Sequence, residues 1–246
     1  MVDIFRYTDV AEDGIAILNP LSFEKLLLLG ELAELRPDAR QLDLACGKGE
    51  MLCQYAARHG TRGVGIDIHP PFIDMAKDRA AELGVAERLE FRVGDAGTNA
   101  VDSRFEVVSC IGATWIGGGF SGTVELMKRS LASDGCLLVG EVFLESEPPP
   151  DLAARHQGTL RGIADLGGLL DQVEAAGLQL TEMVIASRDD WDRYSSRQWA
   201  RAHAWLGRNP DHPDAEGIRV WTDRSRRAYL GDERSWLGWG VFVLRP

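Results

Sequence analysis

From Gln41 onward the apolar positions fall into runs of six to nine residues, separated by stretches in which apolar residues recur at a helical period. Such runs are too short for helices and rich in Val, Leu and Ile, and their alternation with amphipathic segments predicts a parallel sheet with crossover helices. The predicted strands are QLDLAC (41–46), GVGIDI (63–68), RLEFRV (88–93), FEVVSCI (105–111) and CLLVGEVFL (136–144). Their weak in/out alternation predicts coverage on both faces. The helix after the first strand carries Met51, Leu52, Tyr55 and Ala56 on one face. Pro70 and Pro71 open the next, with Ile73, Ala76, Ala80 and Leu83 inward and Gly84 as its stop. A further helix is expected over 121–132.

The flanks break this rhythm. Residues 22–35 read as a helix with Leu26, Leu29, Leu32 and Leu35 in a stripe and Pro37 as its stop. Standing upstream of the sheet, residues 1–40 form an N-terminal cap that either covers a ligand or packs against the sheet edge. After the acidic, proline-containing link ESEPPPD (145–151) come a helix near 159–176 and a strand near 178–187. In 189–207, Trp191, Tyr194, Trp199, Ala202, Trp205 and Leu206 recur at helical spacing, and 213–230 reads as a second helix. WLGWGVFVL (236–244) closes the chain as a strand. The expected organisation is one domain, 1–246. Its core is 41–187, with a helical insertion at 189–231 and a last strand at 236–245.

Composition narrows the function. The chain carries 38 Asp and Glu against 27 Lys and Arg, a net charge of −11. That acidity disfavours nucleic acid, since phosphate backbones are repelled. Residues 189–231 hold eight Arg against seven acidic residues, which predicts a solvated mixed face rather than a basic patch. No run approaches the ~20 apolar residues of a membrane span. The N-terminus MVDIFRYTDVAED lacks an export core, so a cytoplasmic address and no membrane partner are expected. Cys46, Cys53, Cys110 and Cys136 form no CxxC pair and are expected to be reduced, buried thiols. The five histidines show no ligand spacing, so no metal is expected.

The chemistry concentrates where strands end. Asp43-Leu-Ala-Cys-Gly47-Lys-Gly49-Glu50 is a glycine turn between strand and helix, which lets backbone approach a ligand and presents helix N–H groups to a negative charge. Asp67 ends the second strand, 20 residues after Gly47, where a carboxylate can accept both hydroxyls of a ribose. The competing reading makes it a cap on the next helix. Asp95, in Gly94-Asp95-Ala96 after the third strand, faces the same crevice and can accept an adenine amino group. Its competing reading is a turn residue.

The ordered series DLACGKG, GIDI, RVGDA, FEVVSCIG and LASDGCLLVGE, over residues 43–141, resembles the motif set of class I S-adenosylmethionine-dependent methyltransferases. More narrowly, GATWIGGGFSG (112–122), WDRYSSRQW (191–199) and GWGVF (238–242) resemble the YjhP-like bacterial methyltransferases. The resemblance implies a Rossmann-like α/β fold, a seven-stranded mixed sheet of order 3-2-1-4-5-7-6, and methyl transfer that leaves S-adenosylhomocysteine. It implies that Asp43 approaches the methionine amino group while Gly47 and Gly49 shape the loop beneath. Asp67 with Ile68 would hold the ribose, and Asp95 with Ala96 the adenine. Cys110 and Ile111 would line the transfer site. The usual glycine two residues before Gly47 is Ala45 here, which puts the turn's geometry in question.

For the acceptor, Trp115, Phe120, Trp191 and Tyr194 are aromatic residues able to enclose a small molecule, unless the tryptophans form a second hydrophobic cluster. The insertion is expected to roof the carboxyl ends of the strands, with the N-terminal segment on the other flank. Glu141 is the first candidate for a general base, followed by His156 and His203. Ile111-Gly-Ala-Thr-Trp115 replaces the Asn/Asp-Pro-Pro-aromatic tetrad of base-amino methylating enzymes, and no spread of carboxylates suits Mg²⁺. Two alternatives share this fold. One is a non-catalytic cofactor-binding protein. The other is a nicotinamide dehydrogenase, whose GxGxxG spacing fails at Leu52.

Overall fold

A computed structural model describes residues 5–98, 103–147 and 162–246. The strands are β1 (Arg40–Leu44), β2 (Arg62–Asp67), β3 (Leu89–Val93), β4 (Phe105–Ile111), β5 (Leu131–Leu144), β6 (Gln179–Ile185) and β7 (Leu237–Arg245). They form one sheet of order β3-β2-β1-β4-β5-β7-β6, as expected. The first five pair in parallel, and β7 runs antiparallel between β5 and β6. All carboxyl ends of the parallel strands therefore face one edge, where a crevice opens.

The helices are α1 (Phe5–Ala11), α2 (Phe23–Leu32), α3 (Glu50–His59), α4 (Pro70–Glu82), α5 (Phe120–Lys128), α6 (Leu166–Ala175), α7 (Arg188–Arg208) and α8 (Ala215–Gly231). One face of the sheet packs Val108, Leu137 and Phe242 against Met127 of α5 and Leu169 and Val173 of α6. On the other, Leu138, Val241 and Trp239 meet Leu26 and Leu29 of α2 and Tyr55 of α3. Leu52, Ile73, Ala76 and Phe91 join α3 and α4 to the β3 edge. Among the described residues no helix is long and apolar enough to cross a membrane.

Several boundaries differ from expectation for physical reasons. The helix expected over 121–132 ends at Lys128, and β5 begins at Leu131. The Arg104 guanidinium donates to the carbonyls of Arg129 (2.8 Å) and Leu131 (3.1 Å), and Phe105 N–H reaches Ser130 O at 2.8 Å, which turns the chain directly into the sheet. Helix α2 stops four residues before Pro37. Glu34 takes a left-handed φ of 52°, and Leu35 N–H reaches back to Gly30 O. Helix α6 starts at Leu166 because Asp165 caps it through Gly168 N–H at 2.8 Å, and residues 159–161 lie outside the described residues. Strands β3 and β6 are not covered on both faces. As sheet edges they bury one residue each, Phe91 and Val184.

The insertion is a helical pair. Ser187 and Asp190 form a reciprocal capping box that starts α7. Tyr229 of α8 packs on Trp191 and Trp199, each with ring centroids 6.0 Å away, and donates its hydroxyl to Asp192 at 2.8 Å. Helix α1, too short at seven residues to show a helical period in the sequence, lies against α7. The N-terminal segment and the insertion thus form one roof, not two flanks.

Candidate functional site

The glycine turn begins with Asp43, 3% exposed, where β1 enters the crevice. Ser109 on β4 donates its hydroxyl to Asp43 Oδ1 at 2.7 Å, and Gln41 Nε2 donates to the same Ser109 oxygen at 3.0 Å. Burial, reinforced by the nearby charge of Asp67 and opposed by the Ser109 bond, pushes Asp43 up to about 7. The chain then turns through three left-handed residues, Ala45 (φ 58°), Gly47 (φ 55°) and Gly49 (φ 69°). The glycine missing from the motif is therefore missing where its conformation is needed, and Ala45 takes it under strain. Gly49, the N-cap of α3, faces away from the crevice. A Cβ there would meet Phe91 and Ala76 at 2.7 and 2.8 Å, so packing demands it.

Asp67 ties this turn to β2. Its Oδ2 accepts Gly47 N–H at 2.8 Å and its Oδ1 accepts His69 N–H at 2.9 Å. Helix α4 has His69 as its N-cap, so Asp67 is a loop clamp rather than the cap. Asp95 holds its own turn through Gly97 N–H at 2.9 Å and also lines the crevice.

Asp43, Ala45, Gly47, Asp67, Ile68, Asp95, Ala96 and Ile111 line a single cavity of about 680 Å³. Its remaining wall comes largely from the roof. Residues 16–18, Leu21 and Leu26 supply an apolar surface beside Asn19, and Gly112 and Trp115 face it from the loop after β4. Gly112, at φ 75°, has no room for a Cβ beside Asn19 Oδ1, which lets the N-terminal segment close on that loop. Lys48 pins the roof to the glycine turn, donating to Glu12 O at 2.6 Å and Ile15 O at 2.9 Å. Burial lowers its pKa, and its ammonium sits 5.3 Å from the Phe72 ring centroid. Asp9 reaches His69 Nε2 at 2.7 Å. Glu12, 6% exposed, accepts the Tyr194 hydroxyl at 2.9 Å and Gln198 Nε2 at 3.2 Å, and burial raises its pKa.

Five expected residues do not line this cavity. Cys110 is fully buried, because strand alternation turns it into the core with Val108 while Ile111 faces the crevice. Gly49 faces Phe91, as above. Phe120 is a core residue, edge-on to Phe242 at 6.4 Å. Trp191 belongs to the cluster with Tyr229, so of the four aromatic residues only Trp115 and Tyr194 reach the cavity. Glu141 accepts its neighbour Val142 N–H at 2.8 Å and the Thr114 hydroxyl, which engages both oxygens in holding the loop. Burial raises its pKa. Trp115, 74% exposed, stands at the rim and is no core residue. His203 is exposed on α7, and His156 lies outside the described residues. Of the cysteines, Cys46 is half-buried on the cavity wall and the other three are buried.

Sequence reasoning missed Glu12, Lys48, Asn19 and Phe72. Lys48 stood inside the motif as an unassigned position. A glutamate in the turn after a short helix carries no sequence signal, because only the roof's closure buries it.

Residues 35–191 match the family model of a methyltransferase domain. Over 245 residues the chain is 38% identical to YjhP of Escherichia coli (strain K12), covering 99% of both chains. It is 30% identical over 178 residues to nocamycin O-methyltransferase of Saccharothrix syringae, covering 71% of this chain and 59% of the relative. Its fold overlays the crystal structure of a SAM-dependent methyltransferase from Geobacter sulfurreducens in complex with S-adenosyl-L-homocysteine. The TM-score is 0.93, the identity 42%, and all of both chains is covered. With the sheet order and a crevice lined by three strand-end aspartates, these likenesses place the chain in the S-adenosylmethionine-dependent methyltransferases.

Proposed function

We propose that this methyltransferase acts on a compact small-molecule acceptor, with the cofactor along the strand ends and the acceptor beneath the N-terminal roof. The observation that carries this reading is the continuity of the cavity. One end presents Asp43, Asp67 and Asp95, and the other is closed by the apolar residues 16–18, Leu21 and Leu26, with Trp115 at the rim. Its volume lies within the ~300–1,000 Å³ of small-ligand sites, and a roof this near leaves no open platform for a macromolecule. The likeness to nocamycin O-methyltransferase is in keeping with such an acceptor.

The donor set fits S-adenosylmethionine. A buried carboxylate suits its amino group, a strand-end carboxylate its ribose and a third its adenine amino group, while α3 offers N–H groups to the methionine carboxylate. Asp67 spends one lone pair of each oxygen on the loop and keeps the others for ribose hydroxyls. When bound, the cofactor supplies a methyl group already activated on a sulfonium. The protein's part is therefore positioning, which supplies ~7–11 kcal/mol in favourable cases. Asp43, Asp67, Asp95 and the glycine turn orient the donor, and the roof excludes water.

Calorimetry is expected to find binding of S-adenosylmethionine and S-adenosylhomocysteine and none of NAD. Asp67→Ala should weaken both by at least tenfold, since a charged hydrogen bond contributes ~1.5–3 kcal/mol. Unchanged affinity would remove the ribose assignment. A metabolite-library screen should release S-adenosylhomocysteine with a small molecule. Turnover confined to protein or RNA pools would overturn the acceptor class.

A further inference from the structure

We infer that Glu12 is the acceptor-binding and proton-accepting residue of this cavity, and that the acceptor is an uncharged or cationic molecule presenting an O–H or N–H group to it. The inference rests on the proposed division of the cavity between cofactor and acceptor. Glu12 is buried in the roof and lines the cavity, yet two donors, Tyr194 and Gln198, converge on a single oxygen, Oε1. No described residue bonds Oε2. Oε2 is not enclosed by protein but open to the cavity, where a ligand donor can bond to it.

The neighbouring ionisable groups are already engaged. Glu50 is held by Arg79 through contacts of 2.8 and 3.0 Å, and Lys48 donates to two roof carbonyls. Glu141 is tied to Thr114 and Val142. Ile17, Leu18 and Leu21 add apolar wall to the same cavity, and the Lys48 ammonium, already bonded to roof carbonyls, favours the ionised form of Glu12. A carboxylate there attracts a hydrogen-bond donor and repels an anion, and the carboxylates of Asp43 and Asp67 reinforce that sign.

The transfer step balances on this residue. The acceptor's oxygen or nitrogen lone pair forms the bond to the methyl carbon as the methyl–sulfur bond breaks with its electron pair on sulfur. The acceptor's proton passes to Glu12 Oε2. Burial raises the pKa of Glu12, which brings it closer to that of a useful proton acceptor at neutral pH.

The test uses three probes of one shape, 2-phenylethanol, 2-phenylethylamine and 3-phenylpropionate, titrated into protein saturated with S-adenosylhomocysteine at pH 8. The amine and alcohol should bind at least tenfold more tightly than the acid. Glu12→Gln should abolish the amine-over-acid preference while leaving S-adenosylhomocysteine affinity within twofold. Equal binding of acid and amine by the wild-type protein overturns the inference, as does failure of both amine and alcohol to bind. A tenfold loss of S-adenosylhomocysteine affinity in Glu12→Gln also overturns it, because Glu12 would then hold the cofactor. Failure of the wild-type protein to bind S-adenosylhomocysteine would instead defeat the cofactor reading. The wild-type probe series can overturn the inference even if the variant does not fold.

Discussion

Ala45 shows how one residue links motif to energetics. The motif asks for glycine there, and the backbone indeed turns left-handed at φ 58°. An L-residue in that conformation costs ~1–2 kcal/mol. Glycine would return ~0.4–1 kcal/mol of this to the unfolded chain's entropy. Ala45→Gly is therefore expected to stabilise the protein by about 0.5–1 kcal/mol in chemical denaturation. A loss of stability would mean that the methyl group's contacts outweigh the strain. The aspartates behaved as their positions implied, since Asp43, Asp67 and Asp95 all line one cavity. Cys110 did not, because a motif position one residue out of phase on a strand points to the opposite face.

At the scale of elements, one cation ties the roof to the glycine turn. Lys48 belongs to the glycine turn but spends its donors on Glu12 O and Ile15 O, joining the cofactor loop to the segment after α1. Lys48→Met keeps the length of the side chain and removes those donors. Amide exchange in residues 12–16 should rise by an order of magnitude or more, since hydrogen bonds from a charged donor contribute ~1.5–3 kcal/mol. Exchange in β4 and β5 should be unchanged. Equal acceleration in the central strands would show that Lys48 supports the whole fold rather than the roof. Several helix starts are set by local chemistry, although these caps are not among the helix signals singled out in the sequence. Ser22, Ser187 and Asp165 each start a helix through a side-chain bond. The end of α5 escaped because Arg104, on another element, draws the chain into β5.

At the scale of the whole molecule, the 38 acidic residues exceed the basic ones by eleven, and many of the arginines are paired. On α7, α8 and the turn after them, Arg193, Arg219, Arg227 and Arg234 meet Asp189, Glu216, Asp223 and Asp192. Such neutralised arginines make no stripe for a phosphate backbone, so duplex DNA and tRNA should not bind appreciably at physiological salt. A gel shift with submicromolar affinity would contradict this. The expected roof over the strand ends exists, but its construction differs. Helix α1 and the segment after it lie between α7 and the crevice, so the insertion reaches the cavity through Tyr194 alone among its residues.

The sequence by itself determined the sheet, the crossover helices, and the glycine turn and aspartates that line the strand-end wall of the cavity. Those features rest on short-range signals, the period of apolar residues and the placement of glycine and aspartate where strands end. The roof was decided by tertiary structure. Glu12 and Tyr194 stand 182 residues apart; Tyr194 was legible as a pocket aromatic, but Glu12 carries no local mark of function. They meet only because α1 packs on α7 across the crevice. Burial then raises the pKa of Glu12 while leaving one of its oxygens open to the cavity, properties that belong to the assembled cavity and to no segment of the chain.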